Sequence, residues 1–410
     1  MKRDRIYLFF IFNYFAQGMS GIVYEPISYL LKDGLGLSPG QSAVFVAGMT
    51  FPFLIKPLFG IITDLLPVRG LRRRPHLALA ALLWAGAWLV LATQGKVSYG
   101  ILLAMLVLVH IGVAASDVIC DSVMVEQGRE SHKTGFYQAV QIGVLYGSLV
   151  LTGLGGGWLS AHMSYQWIFA LAALLPLMIL YSCVWVRETK ALEAPRRSLE
   201  GLSALIAQKQ FWFISLLIFL WSFSPFLGTA QFYYQSEALK LSPVFIGFLS
   251  TLAGVAGAMG AAFYGRVIGK KCSTDTLVKA AVIVFCPLSL LYVFYLGPVS
   301  VALVTIVIGF AGVVFRLALM DLAAQSCPAY AEATAFAVYM AVFNFSAWAS
   351  NTAGAVLYGA LLREFPAYGA VVVLTLIGSF CTLACWQLLP QALSYGVMRR
   401  SPSSAIISTI

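Results

Sequence analysis

Lys32 to Pro39 reads KDGLGLSP, and 204 residues later Ser236 to Pro243 reads SEALKLSP. Asp33 pairs with Glu237, Leu37-Ser38-Pro39 with Leu241-Ser242-Pro243, and at the same shift Tyr29 with Tyr233. A shift of 200 then pairs Gly112 with Gly312, Val113 with Val313, Asp121 with Asp321, Thr134 with Thr334 and Phe136 with Phe336. Apolar segments resemble one another by chance, so one match carries little weight. Matches that keep their order along the chain are the mark of an internal repeat.

The repeat is set in lipid-compatible sequence. Of 410 residues, 60% are hydrophobic and 10% charged, with mean hydropathy +0.87, against roughly 25% charged in soluble domains. Apolar stretches of about 20 residues, each enough to cross ~30 Å of hydrocarbon as a helix, begin near Ile6, Gln41, Pro75, Ser98, Thr134, Met163, Phe211, Pro243, Thr276, Val299, Ala331 and Pro366. The single long polar connection, RETKALEAPRRSLEGLSALIAQK from Arg187 to Lys209, falls between the sixth and seventh. The expectation is an all-α polytopic membrane protein of about twelve helices in two six-helix pseudo-repeat bundles. The bundles are 1–186 and 210–390, with a linker at 187–209 and a tail at 391–410.

A net charge of +10 does not point to nucleic acid here, because twenty of the 26 Lys and Arg lie on the amino-terminal side of the spans and only Lys32, Lys96, Lys240 and Arg363 lie opposite. Such asymmetry in short loops follows the positive-inside rule, which predicts both termini in the cytoplasm and an inner or plasma membrane location. The first apolar run is too long for a signal-peptide core and lacks a small-residue cleavage site, so it reads as a retained helix. Seven Cys, mostly within spans, show no metal-ligand spacing, and Cys381 with Cys385 read as packing. His76, His110, His132 and His162 are scattered. Neither cofactor nor metal is expected. Without a Walker-type motif, energy must come from gradients or other subunits.

Six plus six helices carrying a parallel repeat resemble the major facilitator superfamily of secondary transporters, whose substrate site lies between the halves. The stretch GIITDLLPVRGLRRR, with Gly60, Asp64, Gly70 and Arg72 to Arg74, is similar to that superfamily's loop between helices two and three. It implies a gate of Gly60, Asp64, Arg72 and Arg73, in which the acid pairs with guanidinium groups or with a helix amino end. The arginines alone would also serve topology. The equivalent GRVIGKK of the second half has no acid. More narrowly, LKDGLGLSP, PFLIKPLFGIITDLLPVRGLRRR and SDVICDSVMVEQGRE resemble the folate-biopterin transporter family over the first 160 residues. The departures are Phe53, where that family tends to have Trp, and His76, where Tyr is common. By plan the chain is also similar to muropeptide permeases and siderophore importers. The resemblance implies a transporter, not an enzyme, for a small and anionic, pterin- or folate-like solute, working as a monomer. The rivals are import of a siderophore or muropeptide and, from another class, a non-transporting membrane assembly factor.

Charge inside a span is costly and marks a wet cavity or a partner. Lys56, between Pro52 and Pro57, either meets a substrate carboxylate or pairs with Asp117 or Asp121. Asp117 and Asp121 share a helical face, and two acids in a poorly solvated place suit proton coupling, as does Asp321; a fixed charge network is the alternative. Arg316 either meets an anionic cargo or pairs with an acid across the halves. Glu25 reads as a snorkelling side chain. A polar stripe of Asn13, Gln17, Ser20, Tyr24 and Ser28 on helix one, echoed by Ser215, Ser222, Thr229 and Tyr233 on helix seven, is expected to line the path. Gln138 and Gln141, with Tyr137, and Asn344 with Asn351 would complete it, and Tyr24, Tyr29 and Tyr233 would stack on a flat ring. Polar residues also join helices without touching cargo. Gly143, Gly147 and Gly155 to Gly157 are expected to serve close helix packing.

Overall fold

The computed structural model of the chain describes residues 6–131, 134–186, 188, 206–268, 271–326 and 332–393. Among them run twelve helical segments. The first six are α1 (Ile6–Gly34), α2 (Pro39–Gly60), α3 (Arg74–Ala92), α4 (Tyr99–Ser131), α5 (Thr134–His162) and α6 (Tyr165–Trp185). The second six are α7 (Lys209–Ser222, resuming at Thr229–Tyr233), α8 (Pro243–Phe263), α9 (Thr274–Phe294), α10 (Pro298–Gln325), α11 (Glu332–Leu361) and α12 (Ala367–Leu393). Ten are long and apolar enough to cross a membrane. The other two are the broken α7 and α11, whose Asn344, Ser346, Ser350 and Asn351 dilute its apolar character. One apolar core is built wholly from α1 to α6 and two from α7 to α12.

The sequence repeat is a backbone repeat. At the end of α1 the Leu35 N–H reaches the Leu30 carbonyl (2.9 Å) and Leu37 that of Leu31 (3.0 Å). In the second copy Leu239 reaches Tyr234 (3.0 Å) and Leu241 reaches Gln235 (2.9 Å). Gly36 and Lys240, again 204 apart, both take the left-handed conformation, at φ 63° and 51°. Ser38 and Ser242 then cap the next helix by accepting from the Gln41 and Phe245 N–H groups. Proline follows each at the first helical position, where its missing N–H costs nothing.

The halves close on the side of these two loops. The Tyr233 hydroxyl donates to the Leu37 carbonyl (2.5 Å) and bonds Ser42 Oγ (2.8 Å), and Trp348 Nε1 donates to the Ala47 carbonyl (2.9 Å). Along the crossing of α5 and α8, Thr251 Oγ1 accepts from Leu154 N–H (2.9 Å) and donates to the Val150 carbonyl (3.1 Å). A side chain on Gly157 would collide with the Pro243 carbonyl and the Gly247 backbone, so glycine permits the approach. Gly143 and Gly147 depart from the packing expectation. A Cβ on either would meet nothing within 4 Å, and both face open space on the other side, where Asp121 and Arg316 are exposed.

Candidate functional site

In the first half, α2 breaks where its prolines predict. A tight turn at Phe51–Phe53 precedes Ile55, at φ −100° and ψ 17°, and the helix restarts at Lys56. The break directs Lys56 at α4, where its Nζ meets Asp117 Oδ2 at 2.6 Å and lies 5.0 Å from the Phe53 ring centre. Asp121, one turn on, accepts instead from the Tyr14 hydroxyl of α1 (2.6 Å). In this conformation the lysine is an ion-pair partner, and the two acids are satisfied separately.

Above them is a group that the sequence reading passed over. His110 stands seven residues before Asp117, hence on the same face of α4. Its Nδ1 lies 2.7 Å from the Leu106 carbonyl, which fixes that nitrogen as the donor and leaves Nε2 as acceptor, 3.4 Å from the Tyr24 hydroxyl. Phe53 packs edge-on against the ring. Tyr24, 43% exposed, covers this buried imidazole from the open space. The spacing to Asp117 and Asp121 was the available signal.

In the second half, Arg316 of α10 is exposed, and its guanidinium carbon lies 5.0 Å from the ring centre of Phe343 on α11. Tyr146, across the gap on α5, is close enough to act on it electrostatically. It forms no ion pair with any described residue. Asp321, the repeat mate of Asp121, accepts from Tyr264, the residue just past α8. Each half thus holds an acid against a phenol, but from different helices.

Several candidates sit elsewhere. Asn13 is fully buried and donates to the Phe9 carbonyl and Ser182 Oγ (both 2.8 Å), so it ties α1 to α6 instead of lining the path. Gln141 is buried 3.9 Å from Cys120 Sγ, between α5 and α4. Tyr233 is 2% exposed and belongs to the closed seam, so its ring is shut away in this conformation, and the half-buried Tyr29 packs edge-on against Phe232 there. Gln17 has a buried Nε2 without a partner, and Asn344 is half-buried. Asn351 accepts from Thr229 N–H (2.7 Å) and so serves the restart of α7. The Gln138 and Asp64 side chains lie outside the described residues.

At the loop between α2 and α3 the acid that appears is Glu188, just past α6. Its carboxylate accepts from the backbone N–H groups of Arg72, Arg73 (2.6 Å) and Arg74 (3.1 Å), at the amino end of α3. Arg73 turns inward to Thr63 Oγ1 (3.0 Å), while a Cβ on Gly60 would meet Val118 of α4 only at an ordinary contact distance of 3.5 Å, so glycine is not required there. Sequence distance hid Glu188, which lies 114 to 116 residues from its partners.

The BT1 family model matches residues 17–394. This chain belongs to the BT1 family. It is 28% identical over 398 residues to the folate-biopterin transporter of Synechocystis sp., covering 92% of this chain and 80% of that one. It is 27% identical over 459 residues to the probable folate-biopterin transporter 4 of Arabidopsis thaliana, covering 90% and 91%. Among solved structures, the nucleoside transporter NupG superposes with a TM-score of 0.72 at 11% identity, covering 94% of this chain and 99% of that one. A bacterial homologue of the human lysosomal transporter Spinster gives 0.66 at 14%, covering 97% of each. The family resemblance and the major facilitator fold read from the sequence are borne out. The BT1 protein is a multi-pass membrane transporter rather than an enzyme.

Proposed function

We propose that the chain carries an anionic, pterin- or folate-like solute across an inner or plasma membrane, both termini cytoplasmic. As a monomer it would rock 1–186 against 210–390 and couple transport to protons. The observation that carries the cargo class is Arg316. A permanently charged guanidinium in a span costs ~2.5–3.5 kcal/mol or more, and here no acid among the described residues offsets it. It is exposed, with Tyr146 of the other half near enough to act on it electrostatically, so a carboxylate on the solute is the partner that fits. Lys56 is already neutralised by Asp117. Tyr24, exposed over His110, is placed to take a flat ring. Relatives named for folate and biopterin support the same class, and nothing comparable favours a siderophore, a muropeptide or an assembly role.

Asp121, exposed on the open side beside the paired Asp117, is the coupling acid in this reading, with Asp321 its counterpart. The test is uptake of labelled folic acid into proteoliposomes. Saturable uptake, accelerated by an inward-directed proton gradient, is expected for the wild type. Arg316→Gln should lose it by tenfold or more, and Asp121→Asn should lose its pH dependence. Undiminished uptake by Arg316→Gln would remove the cargo assignment. A thermal-shift screen with pterins, folates, siderophores and muropeptides separates the classes without transport.

A further inference from the structure

Glu25 follows the tight turn Ser20–Val23 of α1, in the part of the helix that lies on the closed side. Its Cβ is 3.6 Å from where a side chain on Gly156 would begin, so it packs on the glycine run of α5, next to the crossing of α5 with α8. Carboxyl oxygen Oε1 is shut away from solvent and accepts no hydrogen bond. One turn along α1, the Tyr29 hydroxyl is likewise buried without a partner, while its ring meets Phe232 of the other half at 5.0 Å. Asp117, Asp121 and Asp321 each have a partner; among the described residues Glu25 Oε1 has none.

The surroundings supply no counter-charge. On its own helix Glu25 has Tyr24, Tyr29 and the Lys32–Asp33 ion pair. From α5, Gly156 lies against it and Gly155 and Thr152 lie against its neighbours Ile22 and Gly21; none of the three titrates. The α4 imidazole of His110 is turned to Tyr24. The α7 phenol of Tyr233 is held by Ser42 and Leu37, and Tyr165 of α6 lies toward Asp33. An ionised carboxylate with one oxygen shut away from donor and cation is disfavoured in such a place. The closed arrangement therefore favours Glu25 as the neutral acid.

We propose that Glu25, with Tyr29 beside it, is a proton-binding site loaded from the side that is closed in this structure, and that its protonation is the condition for that side to close. When the halves part there, water reaches Oε1 and the carboxylate takes a proton from it. The neutral acid then fits under the α5–α8 crossing and the Tyr29–Phe232 contact. The residue as a whole is only half-buried, which leaves the proton an accessible edge from which to depart. This deepens the proton-coupled reading but places loading at a different residue from Asp121.

Two measurements test it, and neither uses cargo, so they stand or fall apart from the folate assignment. Infrared spectra of the purified protein at neutral pH should show the carbonyl band of a protonated carboxylic acid. Glu25→Gln should remove that band, while Glu25→Asp and Asp121→Asn should keep it. The second reads closure through Ala47→Cys, a buried seam position, labelled by a maleimide and normalised to the exposed native Cys272. Raising the pH ionises Glu25 and opens the seam, so labelling should rise several-fold from mildly acidic to mildly alkaline buffer. In the Glu25→Gln background it should stay low at every pH. An acid band unchanged by Glu25→Gln, or labelling that still follows pH in that background, would overturn the proposal.

Discussion

At the scale of single residues, the charges divide by whether the protein already neutralises them. Lys56 and Asp117 hold each other at 2.6 Å with side chains 25% and 21% exposed. Removing one partner strands the other, which costs ~3–5 kcal/mol in a fully buried pair and less where water still reaches. Lys56→Met should therefore lower the melting temperature, by about 1–2 kcal/mol in stability terms. Lys56→Met with Asp117→Asn should recover most of it, as a thermal melt of the detergent-solubilised variants would read. If the double variant were no better than the single, the pair would not be the lysine's reason for being there. Residue types made this pair legible, because few charges share the half and a buried one needs an opposite. Amides gave no such lead. Asn13 and Gln141 bond helices as readily as they line a path, and only their burial against Ser182 and Cys120 decides.

At the scale of elements, α7 and α11 show what an interrupted helix requires. The break at 223–228 frees backbone groups that apolar surroundings cannot satisfy, and one row of α11 meets them. Ser346 Oγ donates to the Phe219 carbonyl (2.7 Å), Ser350 Oγ accepts from Ser224 N–H (2.9 Å), and Asn351 accepts from Thr229 N–H beside Gly228, at φ 86°. Gly354 completes the row, since any Cβ there would run into the Pro225 carbonyl. Gly354→Ala should cut the yield of monodisperse protein on size exclusion severalfold, whereas Gly86→Ala, with nothing within 4 Å of its Cβ, should match wild type. Asn351→Ala should cost about 1 kcal/mol, the usual net worth of one hydrogen bond, in a thermal melt. Helix positions were legible, because lipid forces apolar length. The starts read from sequence lie within two residues of Ile6, Pro39, Tyr99, Pro243, Pro298 and Ala367. The polar row of α11 was legible only as polarity. Its partners lie more than 120 residues away, so nothing local separates a structural seam from a substrate path.

At the scale of the whole molecule, the closed side is held by few directional contacts, and each is a handle on the equilibrium between conformations. Tyr233 carries two of them, to Ser42 and to the Leu37 carbonyl. Its repeat mate Tyr29 carries none through its hydroxyl, so the two tyrosines that the sequence pairs are energetically unequal. A net worth of about 1 kcal/mol per hydrogen bond means that Tyr233→Phe should shift the balance of open and closed seam by roughly ten- to thirtyfold, since ~1.4 kcal/mol is a factor of ten. Tyr29→Phe, which removes no hydrogen bond of the seam, should shift it far less. Spin labels at Val44→Cys of α2 and Val299→Cys of α10, both exposed positions in opposite halves, would report the change as a longer-distance population that grows chiefly in Tyr233→Phe. A conformation-linked transporter then has a further signature: the same variant should bind impermeant reagents faster at Ala47→Cys while the Lys56–Asp117 pair keeps its stability contribution, because both partners of that pair come from the first six helices. Equal distance distributions in wild type and Tyr233→Phe would instead assign closure to the glycine-permitted contact of α5 with α8, where Gly157 and Gly247 meet.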